Sequence, residues 1–204
     1  MATRRDGGRS AELTTLLARN VRVGAAVGFG AYLLGYLVTF LFTRIDGVDS
    51  GEIAGWKFAG MIFYGGHTVD AEFTATVEGA SETDRFDLFG SSGPESLGST
   101  VPELLYFAVP VAVLVAAGYL LYARVDWRLS VAEAAAVGAT PTVGYLAAAV
   151  LGTFLFESAS SGSLLGVSGS ATLGPNLVPA VLLAGLLYPL VCGAVGGALG
   201  SAVE

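Results

Sequence analysis

The most regular feature of the chain is a set of four long runs without a charged side chain, at residues 23–43, 104–123, 134–156 and 177–203. A helix needs about 20 apolar residues to cross a hydrocarbon core of roughly 30 Å. The pattern therefore predicts an all-α, multi-pass membrane protein with a four-helix transmembrane bundle. We expect the transmembrane helices at residues 23–43, 101–123, 132–156 and 177–201.

A shorter apolar stretch follows the first run, in the sequence WKFAGMIFYGG. Helix signals predict a helix at residues 51–64, which at 1.5 Å per residue reaches only about 21 Å and is too short to cross. We expect it to lie in or dip into the interface on the outer face, where Trp56 and Tyr64 suit the headgroup level and Lys57 reaches water or lipid phosphate. The alternative is a helix packed beneath the outer segment.

The next stretch changes period. From Thr68 to Glu78 apolar and polar residues alternate strictly, and residues 85–89 alternate again after the turn sequence GASET. Period-two alternation is typical of half-buried strands. It predicts a β-hairpin at residues 68–89, within an extracellular segment 44–100, whose apolar face rests on the helices. Residues 157–176, rich in Ser and Gly, are expected to form an extracellular loop.

Charge sets the expected orientation, because Arg and Lys near span ends concentrate on the cytoplasmic side. With both termini inside, the cytoplasmic segments 1–22 and 124–131 hold seven of the ten basic residues, and the outside holds Arg44, Lys57 and Arg85. The outside then carries 12 of the 17 acids. These counts predict a plasma-membrane protein with cytoplasmic termini and an acidic outer surface. The acidic, lysine-poor composition resembles that of proteins from salt-loving archaea.

His67 is the only histidine in the chain and could form a metal cluster with Asp70 and Glu72. Further converging ligands are lacking in the sequence, and so is a nucleophile that His67 could activate. We therefore expect a structural residue, which bonds a freed helix carbonyl or Asp70 after Gly65 and Gly66 leave the helix with positive φ. The candidate cluster at the outer interface comprises Trp56, Lys57, Tyr64, His67 and Asp70.

Two other motifs give no catalytic residue. Ser168 lies in a G-x-S-G sequence similar to the nucleophile motif of rhomboid proteases, but no histidine follows it. Cys192 is a single cysteine inside the last run, and we interpret it as a packing residue. No catalytic residue, metal or cofactor is expected, and the chain is interpreted as a non-enzyme.

Polar and small residues inside the runs define two further candidate sets. A pore or a packing kink is indicated by the sequence GATPTVGY, with Thr140, Pro141, Thr142 and Tyr145. Helix packing is indicated by small-xxx-small pairs in the first and last runs, which serve contacts within the bundle or between copies. The glycines concerned are Gly24, Gly28, Gly193, Gly196, Gly197 and Gly200.

The sequence GWKFAGMIFYGGHTVD resembles a haloarchaeal family of multi-pass membrane proteins of unknown function. The resemblance is carried by Trp56, Lys57, Gly60, Phe63, Tyr64 and His67. Some members of that family have a loose transporter label, and the resemblance implies no reaction or cofactor.

Two functional classes remain open from the sequence. The first is a non-enzymatic membrane protein with a structural or interaction role. The second is an oligomeric channel or an uncoupled transporter of a small solute, since the four span cores lack the ionisable residues that ion-coupled transport requires. The expected partners are the lipid bilayer and, through the glycine faces, further copies of the chain. No nucleic acid partner is expected.

Overall fold

The computed structural model describes residues 3–91, 93–125, 129–164 and 167–203 of the 204-residue chain. Arg128 of the charge count and Gly166 of the G-x-S-G motif lie outside the described residues. The helices are α1 (Thr3–Asp46), α2 (Gly55–Gly65), α3 (Glu103–Tyr122), α4 (Val131–Gly138), α5 (Thr142–Phe156), α6 (Leu177–Pro179) and α7 (Tyr188–Val203), with a π-helical segment (Ala180–Leu187) between α6 and α7. The strands are β1 (Ala71–Val77), β2 (Ala80–Phe86), β3 (Ser158–Leu164) and β4 (Val167–Pro175).

Four helical regions are long and apolar enough to cross a membrane, which confirms the four apolar helices predicted from run length. They cover Asn20–Asp46, Glu103–Tyr122, Val131–Phe156 and Leu177–Val203. The third region begins with a capping box between Ser130 and Glu133. It is interrupted between α4 and α5, where Pro141 has no N–H to donate and α5 starts directly after it.

The four regions pack as a bundle, in which α1 contacts α3 and α5 while α7 contacts α3 and α4. The buried centre contains Tyr32, Leu114, Tyr145 and Ala149. The outward faces carry large exposed apolar side chains on every region, such as Leu37, Leu41, Leu120, Phe154 and Leu190. Soluble monomers rarely expose apolar patches of this extent. The outer surface is therefore compatible with contact with lipid.

Glycines bring the helices into close contact within one chain. On α1, a Cβ added to Gly24 would overlap Thr140, and one added to Gly28 would overlap the carbonyl group of Pro141. Four glycines of α7 lie equally close to α3 or α4: Gly193, Gly196, Gly197 and Gly200. The sequence leaves open whether these glycines pack within the bundle or between copies, and in the structure each contacts its own chain.

Both connections at one end of the bundle contribute a β-hairpin, and the two hairpins form one antiparallel sheet with the strand order β2-β1-β4-β3. In the first hairpin β1 pairs with β2 from Ala71↔Phe86 to Val77↔Ala80. Pairing of β1 with β4 then joins the two connections. The sequence does not predict the second hairpin, because residues 158–175 consist mainly of Ser, Gly and Ala and lack clear alternation.

Only the base of the sheet packs against helices. Ala71 is 1% exposed and shares a second core cluster with Met61, Ile62 and Tyr106, whereas Val77 near the tip of β1 is 52% exposed. The alternation of β1 predicts that its whole apolar face rests on the helices, and the structure differs beyond the base. Pairing with β4 supports β1 along its length, so the first hairpin has a third strand in addition to its contact with the helices at the base.

Replacement of Gly28 by Ala should lower the free energy of unfolding by about 1–3 kcal/mol, because the new Cβ would overlap the Pro141 carbonyl group. Gly30→Ala in the same helix is the matched control, since no atom lies within 4 Å of its added Cβ. Denaturation of the purified protein in detergent, followed by circular dichroism, measures both variants. Equal stability of the two variants would contradict the close contact between α1 and the break in the third region.

Candidate functional site

The half-length helix α2 leads into the interior of the bundle. Trp56 near its start is 41% exposed, but every residue from Ala59 to Gly65 is buried. A helix that is apolar on all sides is typically buried in this way. The helix begins at Gly55, later than the predicted start at residue 51, because the preceding residues form a turn in which the N–H of Ile53 donates to the carbonyl of Ser50. Most of α2 is thus covered by protein, which fits the alternative of a packed helix and not the expected helix in the interface.

The carboxyl end of α2 is the point at which the candidate site forms. Each of the last four carbonyls of the helix accepts a hydrogen bond inside the protein: those of Ile62, Phe63, Tyr64 and Gly65. Backbone N–H groups of the three residues after the helix satisfy three of them, at N···O distances of 2.7–2.9 Å. The fourth bond comes from the imidazole of His67, whose Nδ1 lies 2.8 Å from the Phe63 oxygen. His67 therefore acts as a side-chain cap for a helix that ends in the protein interior.

The two hydrogen bonds of His67 fix its tautomer. A carbonyl oxygen only accepts, so Nδ1 carries the proton toward Phe63 and Nε2 has a free lone pair. The hydroxyl of Tyr145 lies 2.7 Å from Nε2 and donates to it. The ring also packs edge-on against Phe63 and Tyr188, with centroid distances of 4.8 and 5.1 Å. A neutral imidazole thereby links α2 to α5 and α7.

Burial keeps this imidazole neutral. The His67 side chain has 0% exposure, and burial in the bundle lowers its pKa from the usual 6.5 to about 4, an effect that its bond to Phe63 opposes. Both ring nitrogens are engaged by protein groups. The geometry therefore suits a structural link between segments, and neither ring nitrogen is free to bind a substrate.

A pair of buried tyrosine hydroxyl groups lies beside His67. The hydroxyl oxygens of Tyr32 and Tyr64 are 3.0 Å apart, and Tyr64 donates to the carbonyl of Ala149 on α5. Because Tyr64 uses its proton for Ala149, the Tyr32 hydroxyl donates to Tyr64. Gly152 makes room for the pair, since a Cβ there would overlap the Tyr32 hydroxyl and lie 2.6 Å from that of Tyr64. The absence of a side chain at Gly152 is thus a requirement of the site.

The structure joins two residue sets that the sequence leaves separate. Tyr145 belongs to the predicted kink in the third region, and it contacts His67 of the predicted outer cluster. The two threonines of the kink are also buried: the Thr140 hydroxyl donates to the Val137 carbonyl, and the Thr142 hydroxyl has no described partner. The kink therefore packs against α1, with Tyr145 as its link to α2.

Lys57 and Trp56 hold the opposite end of α2. The Lys57 ammonium donates to the backbone oxygen of Glu157, 2.7 Å away, at the carboxyl end of α5. It also lies 5.6 Å from the centroid of the Trp56 ring. The backbone oxygen of Trp56 accepts a bond from the Tyr36 hydroxyl at 3.0 Å. Lys57 thus caps a neighbouring helix, whereas the sequence predicts that it reaches water or lipid phosphate.

The acids near His67 do not join it. The Asp70 side chain is exposed, and its backbone oxygen accepts from the N–H of Asn176. Glu72 bonds Arg85 at 2.9 Å and the Asn176 amide at 3.1 Å. Among the described residues, no group of three or more potential metal ligands comes together. The metal cluster considered from the sequence is therefore not assembled by these residues.

The backbone at this junction also differs from expectation. The residue with positive φ is Thr68, at 58°, whereas Gly66 has a right-handed conformation. The glycine is needed for space, since a Cβ at Gly66 would lie 2.7 Å from the carbonyl oxygen of Tyr106. The Thr68 hydroxyl donates to the His67 carbonyl at 2.6 Å and holds the unusual turn.

Asp46 is a polar centre that sequence reasoning does not find. Its buried carboxylate accepts bonds from the backbone N–H groups of Gly98, Thr100 and Val101 and from the hydroxyl of Tyr106, at 2.7–2.9 Å. It anchors the return loop and the start of α3 to the end of α1. In the sequence Asp46 is one of several acids near the ends of the predicted spans, and no motif around it indicates a binding role.

The fold and site define a class: a bundle of four membrane-length apolar helices with a buried half-length helix and an antiparallel sheet at one end. Within that class, the chain belongs to a family of unknown function (DUF7978), whose model matches residues 3–204. The matched family has no known function, and neither has the haloarchaeal family that the sequence resembles. The match shows no further property that the two have in common. Searches of curated proteins and of solved structures found no match to the chain.

The capping role of His67 predicts a pH dependence. Between pH 6.5 and about 4 the unfolded chain binds a proton at His67 that the folded chain does not, so stability is fully present above pH 6.5 and falls as the pH is lowered. A pKa shift of this size corresponds to about 3 kcal/mol in the free energy of unfolding. The variant His67→Gln keeps a donor and an acceptor but cannot titrate. Its free energy of unfolding should fall by about 3 kcal/mol less than that of the wild type over this interval.

Chemical denaturation from pH 7.5 to pH 4 measures this difference, and the other titrating groups cancel between the two proteins. Parallel stability curves would contradict a buried neutral His67. The same samples with added divalent ions test the metal hypothesis, since a metal-dependent rise in melting temperature that disappears in His67→Gln would make His67 a ligand.

Gly152→Ala should destabilise the protein through the hydroxyl groups of Tyr32 and Tyr64. Tyr32→Phe removes the nearer oxygen, so it should recover part of the loss when combined with Gly152→Ala. We expect a favourable coupling of about 0.5–3 kcal/mol in the double-mutant cycle, measured by denaturation in detergent. Strictly additive losses would show that the two side chains do not share one space.

Proposed function

We propose that the chain is a multi-pass protein of the plasma membrane with a non-enzymatic, structural or interaction role. In this proposal the four apolar regions cross the bilayer, both termini lie in the cytoplasm and the sheet lies outside the cell. The observation that carries it is the outward surface of the bundle, where every region exposes large apolar side chains. Water would not stabilise such a surface, and lipid does.

The distribution of charge supports the orientation. Both hairpins and α2 lie at the same end of the bundle, and three basic residues are found there: Arg44, Lys57 and Arg85. Among the described residues, six further basic residues belong to the segments at the opposite end: Arg4, Arg5, Arg9, Arg19, Arg22 and Arg124. Because basic residues concentrate on the cytoplasmic side, this distribution favours an external sheet.

The candidate site supports a non-enzymatic role. His67, Tyr64 and Tyr145 are 0–1% exposed, and their hydrogen bonds go to protein groups. A general base must reach a proton of its substrate, either directly or through one water. The buried cluster thus fits the anchoring of α2 better than catalysis.

A channel or an uncoupled transporter is the second candidate, and one observation favours it. The third region breaks at Pro141, and the fourth contains the π-helical segment, in which Gly185 contacts Leu146 of α5. Irregular helices of this kind often accompany substrate sites. Solute flux in proteoliposomes that changes in the double variant Pro141→Ala, Thr142→Val would decide in favour of transport.

Orientation can be tested with single cysteines in a Cys192→Ala background. Ser91 and Ser161 are exposed at the sheet end, and Ala202 is exposed near the carboxyl terminus. Cysteine at Ser91 or Ser161 should react with a membrane-impermeant maleimide in intact cells, whereas cysteine at Ala202 should react only after lysis. Labelling of the Ala202→Cys variant in intact cells would overturn the proposed orientation.

A further inference from the structure

The two faces of the sheet differ in chemistry. Residues that pair across neighbouring strands share a face, so the strand registers assign each side chain to one side of the sheet. One side, which we call the apolar face, carries the apolar residues of β1 and β4: Phe73, Ala75, Val77, Ala171 and Leu173. The other side carries paired hydroxyl groups and the ion pair between Arg85 and Glu72. The sheet is therefore amphipathic, and its apolar face needs a covering element.

Helices of the same chain cover only the base of the apolar face. Ala71, Phe86 and Leu173 belong to this base and pack in or against the second core cluster. Farther along β1 the face is open to solvent, since Phe73 is 38% exposed and Val77 is 52% exposed. Exposed apolar surface of this kind is characteristic of a binding site for another molecule.

A shallow hollow crosses the open part of the apolar face. It has a volume of about 840 Å³ and extends over β1, β4 and β3, with Val77, Ala171 and Gly162 among its lining residues. Val77, Gly169 and Gly162 lie in one row across these strands. The two glycines have no side chain, so the surface of the sheet is low beside the valine. A bulky apolar side chain of a partner fits this hollow.

Two carboxylates border the apolar face on the side of β2. The register places Glu82 beside Ala75 and Asp84 beside Phe73, so both acids share this face and lie one strand spacing, about 4.8 Å, from β1. Both side chains are exposed, and among the described residues neither forms an ion pair. The positions of the apolar face on β3 are uncharged: Ser158, Ser160 and Gly162. Negative charge therefore lies on one flank of the face only.

We propose that the apolar face binds an exposed segment of another protein, in which a bulky apolar side chain is flanked by basic side chains. The apolar side chain fills the hollow beside Val77, and the basic side chains reach Glu82 and Asp84 on the neighbouring strand. The proposal rests on the interaction role proposed above and names its partner class. The sheet of a second copy does not supply such a segment, because the one basic residue on its described strands, Arg85, is bonded to Glu72. Anionic lipid headgroups are repelled by the two carboxylates.

The test uses the purified full-length protein in nanodiscs and a displayed library of random peptides of about twelve residues. Empty nanodiscs remove peptides that bind lipid. The remaining binders should be enriched in sequences that place Leu, Phe or Trp close to Lys or Arg. One enriched peptide, labelled with a fluorophore, is then the probe for measurements of fluorescence anisotropy.

Matched protein variants locate the binding of this peptide. The double variant Glu82→Gln, Asp84→Asn should weaken binding about tenfold, as expected for the loss of two partly exposed charge pairs. The double variant Glu52→Gln, Glu95→Gln removes the same charge from exposed positions outside the sheet and should change binding less than about twofold. Val77→Thr keeps the side-chain shape but places a hydroxyl beside the hollow, and should weaken binding about fivefold. All five positions are exposed, so the fold is retained.

Four results would overturn the proposal. They are a library without enriched basic and apolar sequences, equal losses in the two double variants, unchanged binding by Val77→Thr, and dimers of the protein that the peptide dissociates. Equal losses would show attraction by overall charge alone, and such dimers would make a second copy the occupant. These measurements do not depend on orientation in a membrane. A failure here therefore leaves the cysteine-labelling test of the proposed function unaffected.

Discussion

The structure depends on how the carboxyl end of α2 is satisfied. A helix that stops inside a protein leaves its last four carbonyls without helical partners, and each one left unbonded costs about 1–3 kcal/mol. Here the next three residues and one imidazole bond all four. The single histidine of the chain is explained by this need, since it caps the helix with one nitrogen and accepts a phenol proton with the other.

The same constraint explains contacts that lie far apart in the sequence. The bond between Tyr145 and His67 holds the third apolar region beside α2, and the break of that region at Pro141 packs against Gly28 of α1. Gly152 then leaves space for the phenol groups of Tyr32 and Tyr64. Small residues and buried hydroxyl groups therefore both contribute to the contacts between the helices.

Much of the fold follows from the sequence, for identifiable reasons. Uninterrupted apolar runs predict the four membrane-length regions to within three residues at each end, and strict alternation predicts the hairpin of β1 and β2. They do not predict that α1 begins as early as Thr3, within the segment expected to precede the first span, or that the third region consists of two helices. The hairpin of β3 and β4 has no such pattern, since its small residues pack no core and its pairing depends on β1. The sequence also predicts that His67 bonds a freed helix carbonyl, and in the structure its Nδ1 lies 2.8 Å from the Phe63 oxygen. It does not reveal Tyr145 as the partner or Asp46 as an anchor, because both depend on contacts between distant segments.

The pairing of β1 with β4 has a consequence for the order of assembly. The strands come from connections about a hundred residues apart, as the 104-residue separation of Glu72 and Asn176 shows. Contacts so distant form late, because the intervening chain must first be arranged. The sheet can close only after the third apolar region has been made and placed. Strand pairing is thus a late step that joins the first half of a growing chain to the second.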